Sequence, residues 1–296
     1  MGSRSLTVML PDGRSLEAIE EGEPSGRLLI FHHGSPGAAV PFEPFDRASA
    51  QRGIRLVTYS RPGFGGSTRH EGRRIADCAD DVASLADDLG AERFLSLGWS
   101  GGGPHAIATA ALLPDRVLAA ATIAGVAPYE AEGLDWTAGM GEDNRVEYPL
   151  AATDPDAHLE WMRSAARSLA EVTPDAIVDE LRSLISPVDE ASVTPDVGEL
   201  LARSFHEALR DGLWGWRDDD LAFVAPWGFG LTSISVPISL WQGRQDLMVP
   251  FAHGEWLVAH IPTARARLRP EHGHLSLALG SFGEILDDLL EAADDG

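Results

Sequence analysis

The sequence predicts an α/β fold in which helices cover both faces of a mostly parallel sheet. Compact apolar runs suited to buried strands recur along the 296 residues, and amphipathic helix patterns separate several of them. One interval breaks this alternation, because residues 129–231 carry helix patterns without a convincing strand pattern. We therefore predict a core domain of residues 1–128 and 232–296 and an inserted helical cap, or lid, of residues 129–231.

Eight runs are candidate strands. The first two are joined by Pro11-Asp12-Gly13, whose Asp-Gly pair is a strong hairpin signal. The later six have the apolar character of parallel strands buried on both faces. The eight runs are residues 6–10, 15–19, 27–31, 54–59, 93–97, 117–123, 237–241 and 264–268.

Helices are predicted between these strands and within the cap. Residues 75–89 carry an apolar stripe at helical spacing, and residues 104–112 and 282–293 are further core helices. In the cap the strongest patterns cover residues 159–169, 174–185 and 197–213. Thr173 and Thr194, each followed by proline, are predicted to cap the second and third of these helices.

Composition excludes several classes of function. A net charge of −23 argues against nucleic acid or an anionic membrane as a partner. All 23 basic residues are arginine, so chemistry that needs a lysine Schiff base or a phosphate-loop lysine is excluded. The single cysteine, Cys78, excludes an intramolecular disulfide framework. We find no signal peptide and no membrane-spanning run, and expect a cytoplasmic protein, monomer or homodimer, with a small-molecule substrate.

The most informative motif is Gly-x-Ser-x-Gly at residues 98–102. It directly follows a predicted strand and directly precedes a predicted helix. A serine at the tip of such a turn has a strained backbone and an exposed hydroxyl beside a helix N-terminus. Ser100 is therefore the candidate nucleophile.

A serine nucleophile needs a base, and the base needs an acid that fixes its tautomer. Asp246, in the loop after the predicted strand 237–241, is the candidate acid, with Glu130 as its competitor. His274, after the last strand, is the candidate base, and His272 is its rival. His272 and His274 form a His-x-His pair, but no third ligand is evident, so no metal site is predicted.

The loop at residues 32–37 has the character of an oxyanion-binding turn. Backbone N–H groups of Ser35 and Gly101 are the predicted donors, and His33 is expected to hold the loop by hydrogen bonds. Gly34, Trp99 and Trp241 are predicted to contact substrate. The glycine-rich turn at residues 61–67 lacks a lysine and is interpreted as structural rather than nucleotide-binding.

Together these residues resemble the α/β-hydrolase superfamily. His33-Gly34-Ser35-Pro36, the 61–67 turn, the 98–102 motif, Asp246 and Gly273-His274 match in order and rough spacing. The resemblance implies an α/β-hydrolase fold with an eight-stranded, mostly parallel sheet and no cofactor. It also implies that Ser100 is the nucleophile, His274 the base and Asp246 the orienting acid. Members with aspartate at the elbow hydrolyse epoxides or carbon–halogen bonds, and the serine here argues against those reactions.

The expected function is a serine hydrolase that cleaves a carboxylic ester, lactone or amide through an acyl-enzyme. Three alternatives stay open: an aminopeptidase similar to proline iminopeptidases, an acyltransferase or carbon–carbon bond hydrolase using the same triad, and a ligand sensor without turnover. The acidic cap could repel anionic substrates or attract an amine. Five of the eight tryptophans lie in the cap interval and are candidate pocket walls: Trp136, Trp161, Trp214, Trp216 and Trp227.

Overall fold

A computed structural model of the protein describes residues 2–295 and contains one eight-stranded sheet. All eight predicted strands are present, with ends that differ from the prediction by at most a few residues. They are β1 (Arg4–Met9), β2 (Ser15–Gly22), β3 (Arg27–His32), β4 (Ile54–Tyr59), β5 (Phe94–Trp99), β6 (Val117–Ile123), β7 (Ile238–Gly243) and β8 (Ala264–Arg269).

The strand order in the sheet is β1-β2-β4-β3-β5-β6-β7-β8. Strand β1 pairs antiparallel with β2, and β2 pairs antiparallel with β4. All pairs from β4 to β8 are parallel. The loops that follow β3, β5, β7 and β8 therefore emerge at the same edge of the sheet, which is where the predicted nucleophile, acid, base and oxyanion donors are found.

Both faces of the sheet are buried, and strand β3 shows how. Leu29 and Phe31 face a core packed by α1 and α11, whereas Leu28 and Ile30 face a second core packed by α2, α3 and α10. This alternation follows from the two-residue period of a strand. The helices are α1 (Glu43–Ala50), α2 (Cys78–Asp88), α3 (Gly103–Leu112), α10 (Phe251–His260) and α11 (His274–Asp295).

Six helices lie between β6 and β7, in the interval predicted to form the cap. Several of their apolar side chains, including Met162 and Phe205, belong to the same hydrophobic cluster as Leu29 and Leu97 of the sheet. The insertion is therefore packed onto the core. These helices are α4 (Glu142–Thr153), α5 (Pro155–Glu171), α6 (Ile177–Glu180), α7 (Pro187–Glu190), α8 (Pro195–Leu209) and α9 (Trp214–Val224).

Three local predictions about helices need correction. The predicted helix 174–185 is a single 3₁₀ turn followed by the short α6, and Thr173 makes no side-chain capping bond. Thr194 does cap α8, accepting a hydrogen bond from Val197 N. The last helix begins at His274, well before the predicted residue 282.

Within residues 2–295, no helix combines the length and the apolar character needed to cross a lipid bilayer.

Candidate active site

The turn after β5 has the geometry of a strained elbow. Ser100 has φ +55°, in the left-handed region that non-glycine residues rarely occupy. A Cβ on Gly98 would lie 2.1 Å from the Gly102 carbonyl oxygen, and one on Gly102 would lie 2.0 Å from the His32 carbonyl oxygen. Glycine at both positions is therefore needed for the strand and α3 to approach this closely.

Ser100 opens into a cavity of about 450 Å³ between the sheet edge and the inserted helices. Ser100 and His274 line the cavity on the side of the sheet, together with Met248, which is two residues after Asp246. Its upper wall comes from α4, α5, α6, α8 and α9, with Trp161 and Trp216 in an edge-to-face pair 6.1 Å apart. Of the predicted site residues, the lining includes Ser100, His274, Ser35, Gly101, Gly34 and Trp99.

Asp246 and His274, the predicted acid and base, are in hydrogen-bond contact. Asp246 Oδ2 lies 2.8 Å from His274 Nδ1, and both side chains are buried. Asp246 Oδ1 accepts backbone N–H bonds from Met248 and Val249, each at 2.8 Å, while Gln242 Nε2 donates to Oδ2 at 3.2 Å. These bonds fix the carboxylate, and the carboxylate fixes the imidazole with Nδ1 as the protonated nitrogen.

The surroundings of His274 favour its charged form. Burial by itself would lower the pKa of the imidazole. The Asp246 carboxylate, its hydrogen bond and the nearby Asp189 outweigh burial and hold the pKa of His274 above its ordinary value. A base with a raised pKa accepts a proton more readily, which suits a group that must take a proton from a serine hydroxyl.

Asp189, on the short helix α7, holds the start of the helix that carries His274. Its Oδ2 accepts from the backbone N–H of His274, and its Oδ1 accepts from those of Leu275 and Ser276, all at 2.9 Å. The carboxylate is fully buried and replaces the missing bonds of the first turn of α11. A cap residue therefore positions the backbone of the candidate base.

The rivals considered from sequence lie elsewhere. His272 is absent from the cavity lining and makes no side-chain bond to Asp246. Glu130 is exposed and also absent from the lining. His272 and His274 do not converge on a third metal ligand. Within residues 2–295, the one group of side chains close enough to share an ion lies in helices α4, α5 and α9.

Ser100 and His274 both line the cavity. Among residues 2–295, no hydrogen bond joins Ser100 Oγ to the His274 imidazole. Gly34 lies beside the serine, since a Cβ on Gly34 would be 3.5 Å from Ser100 Cβ. The Trp99 and His274 rings lie 6.0 Å apart on the same side of the cavity.

The loop after β3 brings the two predicted oxyanion donors together. A Cβ built on Gly101 would lie 3.2 Å from Ser35 N, so the two backbones are adjacent. Within residues 2–295, Ser35 N–H has no protein acceptor. His33 holds the loop, donating from Nδ1 to the Gly34 carbonyl at 2.7 Å and accepting at Nε2 from Arg61 N–H at 3.1 Å. Burial and the Arg61 charge keep the pKa of His33 well below its ordinary value, so the ring is neutral.

Arg61 holds the loop at residues 32–37 in place and connects it to helix α9. Its guanidinium donates to the His33 carbonyl, to the Gly34 carbonyl at 3.0 Å and to Asp219 at 2.6 Å. Arg73 forms a second buried ion pair with Asp219 at 2.7 Å. Burial would raise the pKa of Asp219, but Arg61 and Arg73 outweigh it and keep that pKa well below its ordinary value. Arg61, in the turn at residues 61–67, thus connects the loop after β3 to α9.

One predicted substrate contact is corrected. Trp241 is buried in the hydrophobic cluster that includes α11, with the Arg269 guanidinium 4.8 Å from its ring centre, and does not line the cavity that contains Ser100. Its position at the end of β7 suggested proximity, but alternate side chains of a strand point to opposite faces. Among the cap tryptophans, Trp161 and Trp216 line the cavity, whereas Trp136 and Trp227 are buried in the second core.

Asp189, Arg61, Arg73 and Asp219 were not singled out from sequence. Arg61 lies in the glycine-rich turn at residues 61–67, so the sequence pattern did point to its position. Asp189 and Asp219 carried none, because their partners lie 85 and 158 residues away along the chain.

Comparison with known proteins agrees with this geometry. Residues 27–281 match the alpha/beta hydrolase fold family. The chain is 31% identical to epoxide hydrolase A of Mycobacterium tuberculosis over 279 residues, covering 85% of each chain. It is 26% identical to the pimeloyl-[acyl-carrier protein] methyl ester esterase of Nitrosomonas europaea over 257 residues, covering 84% of this chain and 89% of the esterase.

The fold is also shared with solved structures. The enol-lactonase from Burkholderia xenovorans LB400 superposes with a TM-score of 0.70 at 20% identity, covering 97% of this chain and all of the lactonase. The strand order, the elbow after β5 and the extent of the sequence match all lead to one assignment. This chain belongs to the α/β-hydrolase fold family.

Proposed function

We propose that the protein is a serine hydrolase that cleaves a carboxylic ester, lactone or amide of a small molecule through an acyl-enzyme. The observation that supports this most strongly is the 2.8 Å bond between Asp246 and His274 at the wall of the cavity that also holds Ser100. An oriented imidazole beside a strained serine is what nucleophilic acyl transfer requires.

In the proposed reaction Ser100 Oγ approaches His274 Nε2 when substrate binds and attacks the carbonyl carbon. The serine proton moves to Nε2, and the Oγ–carbon bond forms as the carbonyl becomes an oxyanion. Backbone N–H groups of Ser35 and Gly101 stabilise that oxyanion. His274 then gives its proton to the departing alcohol or amine. A water molecule, deprotonated by His274, then attacks the acyl carbon. The bond between that carbon and Ser100 Oγ breaks, and His274 returns the proton to Oγ, which releases the carboxylic acid and restores Ser100.

The nucleophile argues for acyl transfer over epoxide opening. A carboxylate that opens an epoxide forms an ester, which water can hydrolyse. A serine alkoxide that opened an epoxide would form an ether, and an ether would not turn over. Similarity to an epoxide hydrolase therefore supports hydrolysis in general, and Ser100 supports an ester or amide substrate.

A second candidate, an aminopeptidase, is favoured by the charge of the cavity wall. Within residues 2–295, the ionisable side chains lining the cavity other than histidine are all carboxyl groups: Glu21, Asp143, Glu147 and Glu180. Burial raises the pKa of Glu21 to about 7 and that of Glu147 well above its ordinary value, so these two contribute less negative charge than the other two. Such a wall would attract a substrate ammonium group and disfavour a substrate carboxylate.

A fluorophosphonate probe, followed by a substrate panel, tests both candidates. We expect labelling on the peptide that contains Ser100, and we expect Ser168→Ala, which removes another cavity hydroxyl, to keep it. Neutral esters and lactones should be hydrolysed by the hydrolase, and aminoacyl amides by the aminopeptidase. Absence of labelling and of turnover would indicate a ligand sensor. Product formation only with an added alcohol or amine would indicate an acyltransferase.

A further inference from the structure

Three cap helices bring two carboxyl groups and an imidazole together beside the cavity. Glu147 comes from α4, His158 from α5 and Asp220 from α9, and their side chains are 5%, 0% and 1% exposed. One potential ligand atom from each residue lies within 4.8 Å of the other two. His158 Nε2 and Asp220 Oδ2 are 3.0 Å apart.

Each of the three side chains has a buried polar atom without a protein partner among residues 2–295: Glu147 Oε1, His158 Nδ1 and Asp220 Oδ1. In the same part of the chain, no arginine forms an ion pair with Glu147 or Asp220. Buried carboxylates without a counter-charge are costly, so this group requires either a proton or a cation. Burial, and then the adjacent Asp220 carboxylate, raise the pKa of Glu147.

We propose that Glu147, His158 and Asp220 bind one divalent transition-metal ion of the kind represented by Zn²⁺ or Mn²⁺. One nitrogen and two oxygens form a ligand set suited to such ions. Two ligands at about 2.1 Å from one ion are roughly 3.0 Å apart at the 90° angle of an octahedral site and roughly 3.4 Å apart at the tetrahedral angle, so the 3.0 Å between His158 Nε2 and Asp220 Oδ2 lies in the range that one ion allows. Glu147 also lines the cavity, which gives an ion a path from solvent.

The ion would connect α4, α5 and α9, three helices that form the wall facing Ser100. Its binding should therefore be visible as stability, independently of any turnover. This proposal does not depend on the proposed hydrolase activity, because metal content and melting temperature are measured without substrate.

The experiment uses tag-free, full-length protein that has been stripped with a chelator and dialysed against ZnCl₂ or, separately, MnCl₂. We expect one ion per chain after gel filtration, measured by mass spectrometry of the metal, and a rise in Tm of about 5 °C. Glu147→Gln and Asp220→Asn, which keep side-chain size, should lose both. Glu180→Gln, another cavity carboxyl, and His260→Gln, an exposed histidine, should keep both.

His158→Gln adds a spectroscopic readout, since bound Co²⁺ should show visible d–d absorption in the wild type and lose it in this variant. Circular dichroism in chelator checks folding, and the two carboxyl variants suffice if His158→Gln does not fold. The proposal is overturned if the wild type retains no ion, or if Glu147→Gln and Asp220→Asn retain it unchanged. In that case a proton shared by the two carboxyl groups explains the cluster.

Discussion

Ser100 is the residue on which the proposed chemistry depends, because its hydroxyl forms the bond to the acyl group. We expect Ser100→Ala to lower kcat/KM for an activated ester by at least about 10⁴-fold, since removing one triad member abolishes nucleophilic catalysis. The Tm should stay close to that of the wild type, because alanine removes one oxygen at a half-buried position. Steady-state kinetics and a thermal melt check this. Retained turnover would refute Ser100 as nucleophile.

His274 and His272 provide a matched pair for testing the base. His274 faces Asp246 at 2.8 Å, whereas His272 lies outside the cavity. His274→Ala should therefore reduce kcat by several orders of magnitude, and His272→Ala should leave it within about threefold. Asp246→Asn should lower the rate by about 10⁴-fold if the carboxylate sets the tautomer. A larger loss of kcat for His272→Ala than for His274→Ala would identify His272 as the base.

At the scale of elements, the contact between α7 and α11 gives a prediction about pH. The proposed mechanism requires neutral His274, so activity should fall on the acid side as the imidazole is protonated. Asp189 and Asp246 raise the pKa of His274, so this acid limb should lie above the ordinary histidine pKa of about 6.5. Asp189→Asn removes one negative charge and should move the limb of kcat/KM to lower pH.

Asp154→Asn is the control for Asp189→Asn. Asp154 caps α5 through a 3.0 Å bond from Ala157 N and is exposed. Asp189→Asn should cost stability, because an amide offers one acceptor oxygen where the two carboxylate oxygens of Asp189 accept three backbone N–H bonds. Asp154→Asn should cost little, because asparagine caps a helix about as well as aspartate, and it removes the same charge far from His274. Only Asp189→Asn should shift the pH profile. An unchanged acid limb in Asp189→Asn would limit Asp189 to a structural role.

Much of the sheet could be predicted because its signals are local. Each buried parallel strand is a compact apolar run, and the elbow at residues 98–102 is a strand, a glycine-rich turn and a helix in direct succession. Ser100, Asp246 and His274 each follow a predicted strand in the sequence, so all three could be placed at strand ends. Strand ends at one sheet edge are close in space whatever their separation in sequence.

The cap was harder to predict because tertiary contacts override its local patterns. Helix α9 contains three consecutive aspartates, Asp218 to Asp220, which in sequence resemble a solvated segment. All three are buried. Asp218 pairs with Arg69 and Asp219 with Arg61 and Arg73, whereas Asp220 contacts the His158 imidazole. The predicted helix 174–185 ends at Glu180. Just beyond that end, the Ser183 carbonyl packs so closely against Gly141 that a Cβ on Gly141 would be 2.1 Å away.

Over the whole molecule, the cap is attached to the core through buried charge. Asp219 joins Arg61 behind the oxyanion loop, and Asp189 holds the helix that begins with His274. Truncating one member of a buried pair leaves the other charge unpaired, which is far more costly than losing a surface ion pair. The inserted helices thus support both halves of the candidate site, the oxyanion loop and the base, while they form the wall above Ser100.

The net charge of the molecule should also favour some substrates over others according to the charge that the substrate carries. A net charge of −23, together with a cavity lining that holds carboxyl groups and neither lysine nor arginine among residues 2–295, should give a negative potential at the site. We therefore expect kcat/KM for the acetyl ester of choline to exceed that for a carboxylate-bearing ester by at least about tenfold at low ionic strength. The neutral analogue 3,3-dimethylbutyl acetate, which matches choline in shape, should fall between them.

Varying the salt concentration distinguishes long-range electrostatic attraction of the substrate from the fit of the substrate to the cavity. Raising NaCl from about 10 mM to about 500 mM shortens the Debye length several-fold, so the ratio of cationic to anionic ester should shrink. The neutral ester should change little, which makes it the internal reference. A ratio that ignores salt would assign selectivity to direct contacts in the cavity, and preference for the anionic ester would contradict the electrostatic argument. In either case Ser100 labelling would stay unchanged, because the selectivity test and the nucleophile test depend on different groups.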